Sequence, residues 1–206
     1  MDYKDYFKGK DWVHMLGFYS NDWEAFAKRH HELFGSGPFY YTTNTFGKLL
    51  YHGEEVDCSN LEFHACYGAW GSHSIEVVQQ TPTDVPTMFT EMGIMDGPAF
   101  NHIHIFVDDL NEAIEACKAL DIEVVTVGYS DFEATKAKFQ LAGKEMTDEQ
   151  IQEYISKPSF VVIDMRPDFG TMVQLIEPSA KTLHDMILQS AGEWDGETDV
   201  IRPLGA

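Results

Sequence analysis

Met15-Leu16-Gly17-Phe18-Tyr19-Ser20-Asn21-Asp22-Trp23-Glu24-Ala25 lines up with His102-Ile103-His104-Ile105-Phe106-Val107-Asp108-Asp109-Leu110-Asn111-Glu112-Ala113, at an offset of 87 residues with one slip near the end. Each segment reads as an apolar strand, an acidic turn and then a helix. Self-similarity of this kind is what an internal duplication leaves behind. The first helix is expected to start near Asn21, with Glu24 three residues on at capping-box spacing. Its apolar stripe is Trp23, Phe26, Ala27, His30, Leu33 and Phe34, and Gly35 stops it. The second is expected to start at Asp108 or Asp109, with Leu110, Ala113, Ile114, Cys117 and Leu120 at helical spacing.

A second matched pair lies downstream. Ile75-Glu76-Val77-Val78-Gln79-Gln80-Thr81-Pro82 resembles Val173-Gln174-Leu175-Ile176-Glu177-Pro178, both β-rich runs ended by proline. Between the matched strands, further β runs fall at Phe39 to Thr45, Leu49 to His52, Leu61 to Tyr67, Glu123 to Val127 and Phe160 to Asp164. The second half is longer by about a dozen residues, which Thr147-Asp148-Glu149-Gln150 followed by Ile151, Tyr154 and Ile155 fills as an inserted helix near 146–157. The expected fold is therefore α+β: two tandem β-α-β-β-β modules, 10–82 and 99–180, joined by a linker at 83–98. One helix on a few strands leaves a bare concave face, so the pair should form an open half-barrel around a cleft, helices outside. The tail, 181–206, is expected to pack across the outside.

Composition excludes several function classes. The 206 residues carry 14 Lys+Arg against 34 Asp+Glu, a net charge of −20. Such a chain repels phosphate backbones and anionic membrane surfaces, so neither nucleic acid nor membrane is an expected partner. Its apolar runs are far too short to span a bilayer, and Met1-Asp2-Tyr3-Lys4-Asp5 lacks the apolar core of a signal peptide. Cys58, Cys66 and Cys117 form no CxxC pair and leave one thiol over in any disulfide scheme, which favours a reducing cytoplasm. Nucleotide-binding glycine loops, the GxSxG elbow and HExxH are all missing from the sequence.

Over about Trp12 to Pro178 the chain resembles the glyoxalase/bleomycin-resistance/extradiol-dioxygenase (vicinal oxygen chelate) superfamily. Its local signatures are Gly35-Ser36-Gly37-Pro38-Phe39-Tyr40, Val107-Asp108-Asp109-Leu110 and Gly170-Thr171-Met172-Val173-Gln174-Leu175-Ile176-Glu177-Pro178. The resemblance implies that the first and last strands of each module donate one metal ligand apiece. Those positions are Met15 (or its neighbour His14), Glu76, His102 and Gln174. Glu76 and His102 match the family pattern. Met15 is a soft thioether and Gln174 a neutral oxygen, so both depart from it. His14 can replace Met15 only if the strand bulges, because adjacent strand residues face opposite ways. His104 shares a face with His102 and sits opposite Gly17 in the repeat, which leaves room for its imidazole. Glu76, His102 and His104 would then make a two-histidine, one-carboxylate set.

The resemblance further implies a divalent metal (Fe, Mn, Zn, Ni or Co) that polarises a small oxygenated substrate, with Glu76 and His104 as proton carriers. Met15, Phe39, Tyr41, His64 and Tyr67 are the expected cleft lining, suited to an apolar or aromatic molecule. Lyase, isomerase or epimerase chemistry is the first reading and dioxygenation the second. A different class stays open: a metal-free binding protein of the resistance type, for which Met15, Gln174 and the acidic charge speak. Pairing as a homodimer is implied by the family alone. The plain alternative for Glu76 is an ordinary exposed strand residue.

Overall fold

A computed structural model describes residues 3–10, 12–141, 143–178 and 181–205, with the side chains of 12–14 and 141 outside that description. The first half runs β1 (Trp12–Tyr19), α1 (Trp23–Phe34), β2 (Phe39–Tyr51), β3 (Glu54–Val56), β4 (Glu62–Trp70) and β5 (His73–Thr81). A connection carrying α2 (Met88–Glu91) leads to β6 (Ala99–Phe106), α3 (Leu110–Ala119) and β7 (Val124–Ser130). Then come α4 (Phe132–Leu141), α5 (Asp148–Ile155), β8 (Phe160–Met165), α6 (Arg166–Phe169) and β9 (Thr171–Ile176). The tail holds α7 (Lys181–Glu193) and β10 (Ile201–Pro203).

Local chemistry sets these boundaries. Asp22 caps α1 by accepting the Ala25 N–H at 2.9 Å, and Gly35 ends it in the left-handed conformation at φ 64°. Asp109 caps α3 through the Glu112 N–H. Thr147 and Gln150 exchange side-chain and backbone bonds at the start of α5, the expected inserted helix. The sequence reading gave no helix at α4.

Eight strands form a closed mixed barrel, in the order β2-β4-β5-β1-β6-β9-β8-β7, with β7 returning to β2. This corrects the expectation of an open half-barrel. The reason is β2, which runs through Phe39–Tyr51 as one strand rather than two. Phe39 to Thr45 pair with β4, and Phe46 to Tyr51 pair with β7. Its register slips between Phe46 and Lys48, and a Cβ at Gly47 would stand 2.9 Å from the Ser130 carbonyl oxygen. Glycine there lets the two backbones close the ring.

Alternation sorts the side chains into an interior and an outer layer. Ile75, Val77, Cys66 and Phe39 pack outward under Ala27 of α1. Val127, Val161, Ile163, Val173 and Leu175 pack under Leu110, Ala113 and Cys117 of α3. Tyr19, Leu49, Phe63, Val78, Val162 and Met172 fill one end of the interior, with fully buried Phe89 of α2 among them. At the other end α7 sets Ile187 against Tyr40 and Ala69, and His184 bonds Ser74 at 2.9 Å. Ser74 shares the face of Glu76, so α7 lies on the concave side and not across the outside as expected. Trp194, whose ring lies 5.5 Å from that of His31 of α1, and β10, paired with β2 beside α1, follow the outside. Among the described residues no helix is long and apolar enough to cross a membrane.

A polar clamp fixes α2. Glu91 accepts the Tyr51 hydroxyl at 2.5 Å, the His52 Nε2 contact at 3.1 Å and Arg166 Nη2 at 3.1 Å, while Arg166 also grips Asp164 at 2.7 Å. These partners, Tyr51 first, hold the Glu91 carboxyl down at about 2, and the hydrogen bond to Glu91, with burial, pushes the Tyr51 hydroxyl up to about 12. Glu91→Gln is expected to cost about 1–2 kcal/mol at neutral pH. A depressed carboxyl contributes fully above its unfolded value of about 4.3 and loses that contribution as pH falls through the folded one. Urea unfolding of wild type and variant should thus differ above about pH 5 and converge toward pH 2. A gap that stayed constant across that window would contradict the clamp.

Candidate metal centre

The interior polar cluster is built from three neighbouring strands. β5 carries Glu76, β6 carries His102 and His104, and β1 runs between them. Gly17 of β1 stands in register with Glu76 on one side and with His102 on the other. Strands separated by a third lie about 9–10 Å apart, so side chains meet only by crossing the middle one. A Cβ at Gly17 would overlap the His102 ring. The glycine therefore makes room for His102, and the expectation that it serves His104 is corrected by the register, which sets Val13 against His104. The β1–β6 register slips between Val13 and Leu16, a bulge beside Met15.

His102 Nε2 lies 3.2 Å from Glu76 Oε2, His104 Nε2 lies 3.3 Å from the same oxygen, and the two nitrogens are 2.9 Å apart. The imidazoles stack with centroids 4.8 Å apart, which brings strand residues i and i+2 to one point. All three side chains are buried. Glu76 is thus no ordinary exposed strand residue. Burial alone would push its carboxyl up, but hydrogen bonds from His102 and His104 and their charge outweigh that and hold it well below the usual carboxylate range. Desolvation pushes His102 down, with Glu76 opposing.

The protons do not account for this geometry. Asn101 Oδ1 lies against His102 Nδ1. His102 Nε2 faces a carboxylate oxygen and a second imidazole nitrogen, and one proton cannot bridge all three. A cation between them satisfies all three. Donors about 2.1 Å from one ion at angles of 90–110° lie about 3.0–3.4 Å from each other, close to the spacings found. Among the described residues these three form a group of His and carboxylate donors lying within 4.8 Å of one another. Two imidazoles and a carboxylate suit iron, manganese or zinc, and the Nδ1–Asn101 bond is the outer partner that a ligating histidine ordinarily has.

The remaining sequence candidates divide. Tyr67 stands in register with Glu76, and Met15 is buried with Ile176, Tyr67, Phe106 and Phe160 around it. Gln174 pairs in register with His104 and shares the inward face of Met172 and Ile176. The side chain of His14 lies outside the described residues. Three lining candidates do not face the interior. Phe39 is buried beneath α1, Tyr41 stacks on Trp23, and His64 bonds Thr43 with Glu62 beside it. The cause is strand parity: Tyr67 pairs with Tyr40, so β2 turns Tyr40, Thr42 and Asn44 inward and their neighbours outward. Asn101, whose Oδ1 lies against His102 Nδ1, was missed; it precedes His102 directly, and only its proximity could have flagged it.

No family model and no curated protein matches the chain. Among solved structures, the methylmalonyl-CoA epimerase of Mycobacterium tuberculosis is similar at 11% identity with a TM-score of 0.45, covering 84% of this chain and 90% of that one. A mutant 4-hydroxymandelate synthase from Streptomyces coelicolor is similar at 13% identity and 0.41, covering 82% of this chain and 48% of that one. A methylmalonyl-CoA epimerase variant from Streptomyces coelicolor, in complex with 2-nitronate-propionyl-CoA, follows at 9% and 0.43, covering 81% and 94%.

Gly17→Ala tests the crossing directly. The added methyl group must displace the His102 ring in a packed interior, at a cost of roughly 1–3 kcal/mol. Urea denaturation should show that loss, and a variant as stable as wild type would mean that the ring does not cross β1.

Proposed function

We propose that Glu76, His102 and His104 hold a divalent cation, and that the chain is an enzyme of the vicinal-oxygen-chelate type acting on a small oxygenated molecule. The observation that carries this reading is the convergence of three buried donor atoms, two nitrogens and one carboxylate oxygen, on one point inside the barrel. A cation bound there supplies Lewis acidity to a substrate oxygen. The rest of the chemistry falls to the chain. Glu76, kept ionised by its histidines, neutralises part of the cation's charge. His104 Nδ1 is buried with no hydrogen-bond partner, and Glu76 and His104 are the groups placed to take or return a proton at the substrate.

Met15, Ile176, Phe106 and Phe160 make the surroundings apolar, so the substrate class is a compact, largely apolar molecule whose oxygens face the donors. Proton transfer next to a carbonyl, as in lyases, isomerases and epimerases, is the first choice. Ring-opening dioxygenation is the second. The halves, 10–82 and 99–180, are read as tandem β-α-β-β-β modules because each contributes four consecutive strands to the ring. The second reading is a metal-free binding protein, favoured by Met15 lying in an apolar cluster and by a neutral Gln174 beside His104.

Elemental analysis after loading with Fe, Mn, Zn, Co or Ni separates the two. One equivalent of metal is expected in wild type and less than about a tenth of that in His102→Ala and Glu76→Gln. Wild-type protein that takes up none of these ions would sink the enzyme reading and leave the binding protein.

A further inference from the structure

Glu76, His102 and His104 are 6%, 0% and 3% exposed, so their donor atoms are enclosed. A cation or a substrate reaches them only after some element moves. The barrel has two ends, and they are closed unequally. At the α2 end, fully buried Phe89 packs among Tyr19, Leu49, Phe63, Val78 and Met172, and Glu91 is locked by Tyr51, His52 and Arg166. At the other end, α7 commits two residues to the interior, His184 and Ile187. Its anchors fall at three-residue intervals along the helix. His184 Nδ1 meets Ser74 Oγ at 2.9 Å, Ile187 packs on Tyr40 and Ala69, and the Ser190 hydroxyl bonds that of Tyr40.

The weaker closure is also the nearer one. Ser74 lies two residues before Glu76 on the same face of β5. Tyr67, in register with Glu76, belongs both to the α7 packing and to the apolar group of Met15 and Ile176. A helix lifted off Tyr40 and Ala69 thus uncovers Tyr67 and the surroundings of the donors behind it. We propose that α7 is the lid of the interior site, opening by release of Ile187 and of the Ser74 and Tyr40 bonds while the barrel stays closed. The cargo of this lid rests on the metal reading above, whereas its motion does not. Few buried apolar contacts are what a lid needs, since such an element opens far more often than the core unfolds.

The test follows Co(II) uptake and its loss to excess chelator by visible absorption, with equilibrium affinity and with amide hydrogen exchange of the metal-free protein. Ile187→Ala enlarges the open population, so both rates are expected to rise roughly 10-fold or more. Affinity, which is their ratio, should hold within about threefold. Glu91→Gln loosens the opposite end and should leave both rates as in wild type. Rates unchanged in Ile187→Ala, or raised equally by Glu91→Gln, overturn the lid. In hydrogen exchange, α7 amides are expected to exchange at least about 100-fold faster than those of β5 and β6. Protection of α7 equal to that of those strands overturns the lid whether or not an ion binds. Wild type that takes up no Co(II) while α7 exchanges fast sinks the metal reading and supports the lid. Should Ile187→Ala not fold, Ser190→Ala decides by the same rates, and rates equal to wild type overturn the proposal.

Discussion

A carboxylate is buried inside a closed barrel, and the fold is arranged so that it is never left alone there. Stripping water from Glu76 is costly, and an isolated ionised carboxyl would sooner take up a proton than stay charged. The two imidazoles that offset this cost sit on β6, across β1 from the strand that carries the acid. A single missing Cβ, at Gly17, lets the His102 ring lie over the intervening backbone. The bulge in β1 and the Asn101 partner of His102 both serve the same meeting of charges. Remove the crossing, and the acid has no compensating group within reach.

Closure of the barrel is what makes that meeting dry. An open sheet would let water into its concave face and weaken each interaction by raising the local dielectric. β2 is long enough to serve both halves, pairing with β4 over its first part and with β7 over its second. The two ends are then stopped by different elements, Phe89 of α2 at one and α7 at the other. The α2 stopper is polar on its outer side, where Glu91 is locked by Tyr51, His52 and Arg166. The α7 stopper is held by apolar contact and by the Ser74–His184 bond two residues from Glu76. Metal-assisted chemistry gains from such enclosure, because donors aimed at a developing charge act most strongly where water cannot screen them.

Much of this was legible in the sequence, for reasons that can be named. The repeat fixed where strands and caps recur, so β1, β5, β6 and β9 and the helices α1 and α3 lie where their patterns place them. Glu76, His102 and His104 were legible because alternation fixes relative facing along one strand. Facing between strands is a different matter. Phe39, Tyr41 and His64 are aromatic or polar residues in plausible strands, but which parity points inward depends on register, and register comes from pairings that a linear pattern does not contain. The closure at Gly47 was hidden for a related reason, since a glycine in a strand reads equally as an end or as a bend. The tail was expected across the outside for the same reason, since a linear pattern does not say on which side of a sheet a helix packs.

The charge of the whole chain bears on the buried site in one further way. With a net charge of −20, the surface potential raises the concentration of cations near the protein and lowers that of anions. An interior pairing one carboxylate with two imidazoles is therefore approached through a field that favours a divalent ion and disfavours an anionic substrate. In the enzyme reading proposed above, this field and the apolar ring of Met15, Ile176, Phe106 and Phe160 favour neutral, oxygen-bearing substrates over those that carry phosphate or several carboxylates.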